Sequence, residues 1–223
     1  METLRILVAD DSQFMRTAYK RILETQENFE VVGMAVDGED ALQQAIDLVP
    51  DVAILDVRMP KLDGLETAHR IRLQHPGTAI VMISAYDDLA FVAELLKNGP
   101  EGKAYLLKSS LDDIGELIRV IDAVTKRQTV LDPSIVLKLT SLYIRQDIPQ
   151  SERLTHAQRS VLELIAEGRD DSYIARNLGL EEESVAEITT GICKRLGLEE
   201  TSEPGRRSKA VESFFVKCTS LLT

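Results

Sequence analysis

Val52-Ala-Ile-Leu-Asp-Val-Arg-Met-Pro-Lys-Leu-Asp-Gly64 is the stretch on which the fold of this chain turns. It opens as an unbroken apolar, β-branched run, the pattern of a strand buried on both faces. The run stops at Asp56, and Pro60 and Gly64 then break regular structure and permit a tight loop. An ionisable residue at the carboxyl end of a buried strand lies where open α/β sheets place their chemistry. The competing reading, an Asp that only caps a loop, loses its weight once the neighbouring stretches are taken in.

Four similar runs surround it: Leu4 to Ala9, Val31 to Val36, Ala79 to Ser84 and Ala104 to Lys108. Helical periodicity fills the gaps. Ser12 caps a helix with Phe14, Ala18 and Ile22 on one face, and Gly38 precedes one marked by Ala41, Leu42, Ala45 and Ile46. A third runs from about Leu65 to Leu73, and Asp87-Asp88 starts a fourth carrying Leu89, Val92, Leu95 and Leu96. Asp112-Asp113 caps a fifth, with Ile114, Leu117, Ile118, Ile121 and Val124 as its stripe. Strict alternation of strand and helix predicts an α/β domain over residues 1–127, a doubly wound, five-stranded parallel sheet. The strand ends of such a sheet converge on one edge. That edge would hold Asp10, Asp11, Asp56, Ser84 and Lys108. Three close carboxylates repel one another, so a hard cation such as Mg²⁺ is the natural neutraliser. A Lys supplies a further compact charge, and a Ser hydroxyl can turn to donate to an anion. Such a site would accept a phosphoryl group on one carboxylate.

Asp10-Asp11, Asp56 with Pro60 and Gly64, Ser84-Ala85, and Tyr105 three residues before Lys108 resemble the receiver domain of two-component response regulators. The resemblance implies a flavodoxin-like strand order, 2-1-3-4-5, and phosphoryl transfer to Asp56 from a sensor histidine kinase. It implies direct Mg²⁺ binding by Asp11, Asp56 and the backbone carbonyl of Arg58, with Asp10 acting through water. Ser84 and Tyr105 would be the switch pair, and Lys108 would contact the phosphoryl oxygens. The chain departs from the family where a Pro usually follows the Lys; here Ser109 stands. Tyr86 and Arg58 flank the site. Asp87-Asp88 and Asp112-Asp113 read as charges favoured at helix N-termini.

Composition sets the outer bounds. The chain has 223 residues, 44% hydrophobic and 28% charged, as in soluble globular proteins. No apolar run approaches the ~18 residues of a membrane span, and Met1-Glu-Thr-Leu-Arg5 does not read as a signal peptide. Cys193 and Cys218 fit neither a zinc spacing nor a disulfide framework, and His69, His75 and His156 are scattered. A cytoplasmic protein is the expectation. The net charge is −11, with residues 1–150 at −8 and 151–223 at −3, so neither half has a basic balance.

Residues 128–153 read as a linker without strands: a turn at Leu131-Asp-Pro133, then an amphipathic helix over 134–144 with Ile135, Val136, Leu139 and Leu142 on one face. That stripe fits either a domain of the same chain or a dimer contact. From Leu154 to Thr223 everything is helical. Thr155 and Gln158 form a capping box; Gly168, Gly179 and Gly197 close successive helices; a last helix spans Arg207 to Leu221. Leu154-Thr155, Ile165-Ala166-Glu-Gly168, Leu178-Gly-Leu180, Ser184-Val185 and Arg195-Leu196-Gly-Leu198 resemble the LuxR-type helix-turn-helix domain of the NarL/FixJ regulators. That resemblance implies a DNA-binding transcriptional regulator, with Ser184, Val185, Lys194, Arg195, Arg206 and Arg207 as candidate contacts and a phosphorylation-dependent homodimer. Departures lie on the recognition helix, where Glu182, Glu183, Ala186, Glu187 and Thr190 face outward and Thr189 replaces an apolar residue, as if the face were rotated or degraded. An insertion around Glu199–Gly205 is a further departure. Acids suit phosphates badly, so a second class stands beside the first: an output domain that binds a protein. No independent enzyme is expected; the only chemistry would be self-catalysed phosphoryl transfer and dephosphorylation at Asp56.

Overall fold

The computed structural model describes residues 3–111, 114–146, 149, 153–198 and 205–219. Six parallel strands form its centre: β1 (Leu4–Ala9), β2 (Phe29–Ala35), β3 (Val52–Asp56), β4 (Ala79–Ser84), β5 (Lys103–Leu107) and β6 (Thr129–Leu131). Their order is β2-β1-β3-β4-β5-β6. Helices α1 (Gln13–Leu23), α2 (Gly38–Leu48), α3 (Gly64–Gln74), α4 (Leu89–Leu96) and α5 (Ile114–Thr125) are the crossovers. The alternation seen in sequence sorts side chains cleanly between faces. Leu7, Ala53, Leu55, Ile80, Met82 and Tyr105 point to one layer; Ile6, Val8, Val52, Ile54, Val81 and Ile83 point to the other.

β6 corrects the five-strand expectation. Thr129, Val130 and Leu131 pair with Lys103, Ala104 and Tyr105, and the expected turn at 131–133 is instead the strand's end and the cap of the next helix. Three residues are too few to show a period. The strand is held because α5, α7 (His156–Ala166) and α10 (Arg206–Thr219) pack on it, which also covers an edge that would otherwise be exposed.

One apolar stripe falls differently from its sequence reading. On α1 the inward residues are Tyr19 and Leu23, whereas Phe14 is 78% exposed. The stripes on α5 and on α6 (Pro133–Arg145) are spent within the chain: Leu117, Ile121 and Val124 lie under the sheet, and Ile135, Val136, Leu139 and Tyr143 are buried. They are therefore not free dimer contacts. The α6 residues join α7, α8 (Asp171–Leu178), α9 (Glu182–Leu196) and α10 in a hydrophobic core continuous with one face of the sheet. At another seam Arg119 of α5 donates to the carbonyls just past the end of α7, Glu167 O and Gly168 O, both at 2.9 Å. Gly168 sits at φ +71°, and a Cβ there would press into Val130 of β6. Among the described residues no helix is long and apolar enough to cross a membrane. The Asp112-Asp113 cap and residues 199–204 of the insertion lie outside the described residues, as do 220–223 at the end of the last helix.

Candidate functional site

The site is assembled by the ends of β1, β3, β4 and β5, each delivering the polar residue that terminates its apolar run. Asp10 is almost wholly buried and Asp56 is 7% exposed. Between them lies the ammonium of Lys108, 3.0 Å from Asp10 Oδ2 and 2.6 Å from Asp56 Oδ1. The remaining oxygens are also held: Asp10 Oδ1 accepts the Ser12 N–H and Asp56 Oδ2 accepts the Arg58 N–H, both at 2.8 Å. Gly64 makes this possible on the β3 side, because a Cβ there would collide with the main-chain oxygen of Asp56.

Burial pushes the Asp56 carboxyl above its ordinary value, the Lys108 hydrogen bond and charge pull it back, and the charge of Asp10 raises it again. Burial works against the Lys108 ammonium, but hydrogen bonds and charge from Asp56 and Asp10 outweigh it and hold the group above its usual range. The lysine thus stays charged, poised beside two carboxylate oxygens whose repulsion it offsets.

Asp11 differs from expectation in its surroundings. It is exposed, and among the described residues no three acidic, His or Cys side chains are grouped closely enough to hold a metal ion by themselves. Asp10 and Asp56 come together; Asp11 stands beside them at the surface.

Ser84 is fully buried, and its hydroxyl is committed twice to one residue. It donates to the Tyr86 carbonyl at 3.0 Å and accepts the Tyr86 N–H at 2.9 Å. The Tyr105 hydroxyl, also buried, donates to the same carbonyl at 2.8 Å. Burial raises the Tyr105 hydroxyl, a shift that the neighbouring Ser84 side chain moderates. Ser84 and Tyr105 therefore meet on Tyr86 O, a main-chain group that no side-chain motif announces. Outside, the Arg58 guanidinium lies 4.7 Å from the Tyr86 ring centre and 5.8 Å from that of Phe91, roofing the site with a cation–π stack. After Lys108 the backbone makes one 3₁₀ turn to Ser110, closed by Leu111 N–H on Lys108 O at 3.4 Å.

Asp132 is the residue that sequence reading misses. Fully buried, it accepts the Leu107 N–H at 3.0 Å and the Ser134 N–H at 2.9 Å, joining the end of β5 to the start of α6. Asp followed by Pro is a readable helix start, since Pro suits the first helical position. The Asp-Pro pair passes as a turn only because the strand before it goes unseen.

In the C-terminal helices the expected faces are in place with two changes. Val185 is buried and cannot reach a groove, and the buried row Val185, Thr189, Ile192 and Leu196 is regular, so the helix face is not rotated. Thr189 fits this row because its hydroxyl donates to Val185 O at 2.8 Å. Glu182, Glu183, Ala186, Glu187, Thr190 and Lys194 face solvent, with Ser184 half-buried. Arg195 donates to Arg153 O at 2.6 Å and Arg207 pairs with Asp171.

The response regulator receiver domain family matches residues 6–121. The oxygen regulatory protein NreC of Staphylococcus carnosus is 31% identical over 208 residues, spanning 90% of this chain and 94% of that protein. NreC of Staphylococcus epidermidis is 32% identical over 213 residues with the same coverage. Among solved structures, a DNA-binding response regulator of the LuxR family from Staphylococcus aureus is 25% identical, with a TM-score of 0.50 over 55% of this chain and 98% of that one. The RcsB response regulator of Salmonella typhimurium, 21% identical, shares the fold over 98% of this chain and all of that one with a TM-score of 0.55.

Proposed function

The chain belongs to the response-regulator family, and from that premise we propose that Asp56 accepts a phosphoryl group from a sensor histidine kinase in the cytoplasm. The helical C-terminal region then converts that event into control of transcription. The observation that supports this reading is the Asp10–Lys108–Asp56 cluster: a carboxylate nucleophile near the surface with an ammonium 2.6 Å from one oxygen. In the transfer, an Asp56 oxygen attacks the phosphorus of a phosphohistidine; the O–P bond forms as the P–N bond breaks, and the imidazole leaves with the electron pair. Lys108 offsets the charge that arrives. Ser84 turns its proton from the Tyr86 carbonyl to a phosphoryl oxygen, exchanging a neutral hydrogen bond for a charge-assisted one. Attack of water on phosphorus later returns the carboxylate and inorganic phosphate.

The residues fit Mg²⁺, which is usually bound through one or two carboxylates with water and phosphate completing the shell, so a three-acid cage is not required. Asp11, Asp56 and the Arg58 carbonyl would hold the ion, and Asp10 would act through water. When bound, it neutralises charge on the transferred group. The DNA reading is supported by the kinship with LuxR-family regulators, one of them described as DNA-binding. Ser184, Lys194, Arg195, Arg206 and Arg207 are the contacts proposed on this side, with a phosphorylation-dependent homodimer as the binding form.

Mass spectrometry of the full chain, treated with a small-molecule phosphodonor and Mg²⁺, tests the acceptor. One phosphoryl group is expected on the Asp56 peptide, absent from Asp56→Asn and absent without Mg²⁺. Phosphate retained by Asp56→Asn refutes the assignment.

A further inference from the structure

α6 stands between the site and the helical region, and it is tied to both. At its start, Asp132 donates its N–H to Tyr105 O at 2.8 Å while its carboxylate holds Leu107 N–H, the residue before Lys108. On its outer side, Lys138 reaches the loop after β4, with Nζ 2.5 Å from the Asp87 carboxylate and donating to the Asp87 carbonyl at 3.0 Å. Its far face carries the output helices. The Tyr143 ring packs on Phe214 with centroids 5.5 Å apart, and its hydroxyl accepts the Leu154 N–H at 2.9 Å. Thr140 donates to Glu163 at 2.8 Å, and the Gln146 amide donates to Lys217 O and Cys218 O at 2.5 and 3.2 Å.

A serine has one hydroxyl proton. In this structure Ser84 spends it on the carbonyl of Tyr86, next to Asp87. If that proton goes to a phosphoryl oxygen, the Tyr86 carbonyl loses one of its two donors, and a swing of the Ser84 oxygen toward the phosphate would take the acceptor from the Tyr86 N–H as well. The main chain of the 85–87 loop is then tied by the Tyr105 hydroxyl on one side and Lys138 on the other, while the Tyr86 ring stays under Arg58 and against Phe91. Lys138 and Asp87 have side chains 45% and 53% exposed, so their pair is a weak one that a shift of the loop breaks readily. The other polar ties between the two regions, Arg119 on the carbonyls of Glu167 and Gly168, Arg169 on Glu116 and Ser208 on Arg127 O, touch no residue of the site.

We propose that α6 is the element that reads the state of the Asp56 site, and that Lys138 is its latch. Lys138 holds α6 against the sheet, and through it steadies α10, which also packs on β6 directly, while the 84–87 loop keeps the unphosphorylated arrangement. This deepens the reading of Asp56 as phospho-acceptor and rests on it.

Hydrogen–deuterium exchange on the full chain tests the latch in two arms. Without phosphodonor, Lys138→Met is expected to raise exchange in the 133–145 and 206–219 peptides by about twofold to fivefold, the factor an exposed ion pair commands. The 4–9 and 52–56 peptides stay as in wild type. The double variant Lys138→Asp with Asp87→Lys restores protection, which a general loosening of the fold would not do. With phosphodonor and Mg²⁺, wild type shows the same rise and Lys138→Met little more. The mass of the Asp56 peptide from the same samples separates the two ideas. If no phosphate is gained, the acceptor reading fails while the first arm still judges the latch. Unchanged exchange in α6 and α10 of Lys138→Met, or a phosphorylated wild type with both helices fully protected, overturns the proposal.

Discussion

Asp132→Ala is the substitution whose cost follows most directly from the geometry. The carboxylate caps α6 through Ser134 N–H and satisfies Leu107 N–H at the end of β5, with no access to water. Loss of a helix N-cap costs about 1 kcal/mol. A buried N–H left without an acceptor costs about 1–3 kcal/mol. The alanine is spared the desolvation of a buried carboxylate, which offsets part of the sum, so the expected net loss is about 2–3 kcal/mol. For a chain of this size that is a fall of roughly 5–10 °C in Tm. Asp132→Asn keeps the shape but points an amide N–H₂ at one of the two donors, so it should recover at most one of the two contacts. Thermal and urea unfolding followed by circular dichroism, with hydrogen exchange at Leu107, measures both variants. A loss under about 0.5 kcal/mol for Asp132→Ala, the level of an ordinary surface substitution, refutes the claim that this residue fastens α6 to the sheet.

Lys103 offers a test by pH. Its amine donates to Leu95 O at 2.7 Å, and burial first, then the charge of Arg72, pulls it down to about 8. An unfolded lysine titrates near ~10.4, so above pH 8 the unfolded chain binds more protons than the folded one and this group's contribution to stability rises with pH. Relative to Lys103→Met, wild type should therefore gain on the order of 2 kcal/mol between pH 7 and about pH 9.5; urea midpoints that differ by the same amount at both pH values contradict this. On α9, Glu183→Lys with Glu187→Lys should strengthen non-specific duplex binding and steepen its salt dependence by up to ~0.9 log units per new phosphate contact. Titrations at several salt concentrations read this, and a double variant with the wild-type slope would show that this face does not meet the duplex.

Much of the site is legible in the chain itself. Each of β1, β3, β4 and β5 announces itself as an apolar run, and a polar residue ends each run or follows it directly: Asp10, Asp56, Ser84 and Lys108. Parallel topology alone then brings those ends to one edge. Helix caps are equally local, which is why Ser12, Asp88, Thr155 and Gly179 stand where the sequence puts them. What stays hidden depends on partners distant in sequence. Thr129–Leu131 becomes a strand through Lys103–Tyr105 on one side and the helices that cover it. Asp132 becomes a buried fastening because the Leu107 N–H, twenty-five positions away, finds its carboxylate.

Sequence by itself determines five of the six strands, the helices between them and the identity of the groups at the sheet's edge, because burial periodicity and capping act over a few residues. Tertiary structure alone decides how those groups are used. It seats Lys108 between Asp10 and Asp56 and leaves Asp11 at the surface. It joins Ser84 and Tyr105 through the carbonyl of Tyr86, and sets Lys138 on Asp87, fifty-one positions away. A main-chain carbonyl has no signature in an amino-acid sequence, and an ion pair between exposed side chains imposes no period. Only the folded chain, by bringing such groups within hydrogen-bonding distance, gives them a role.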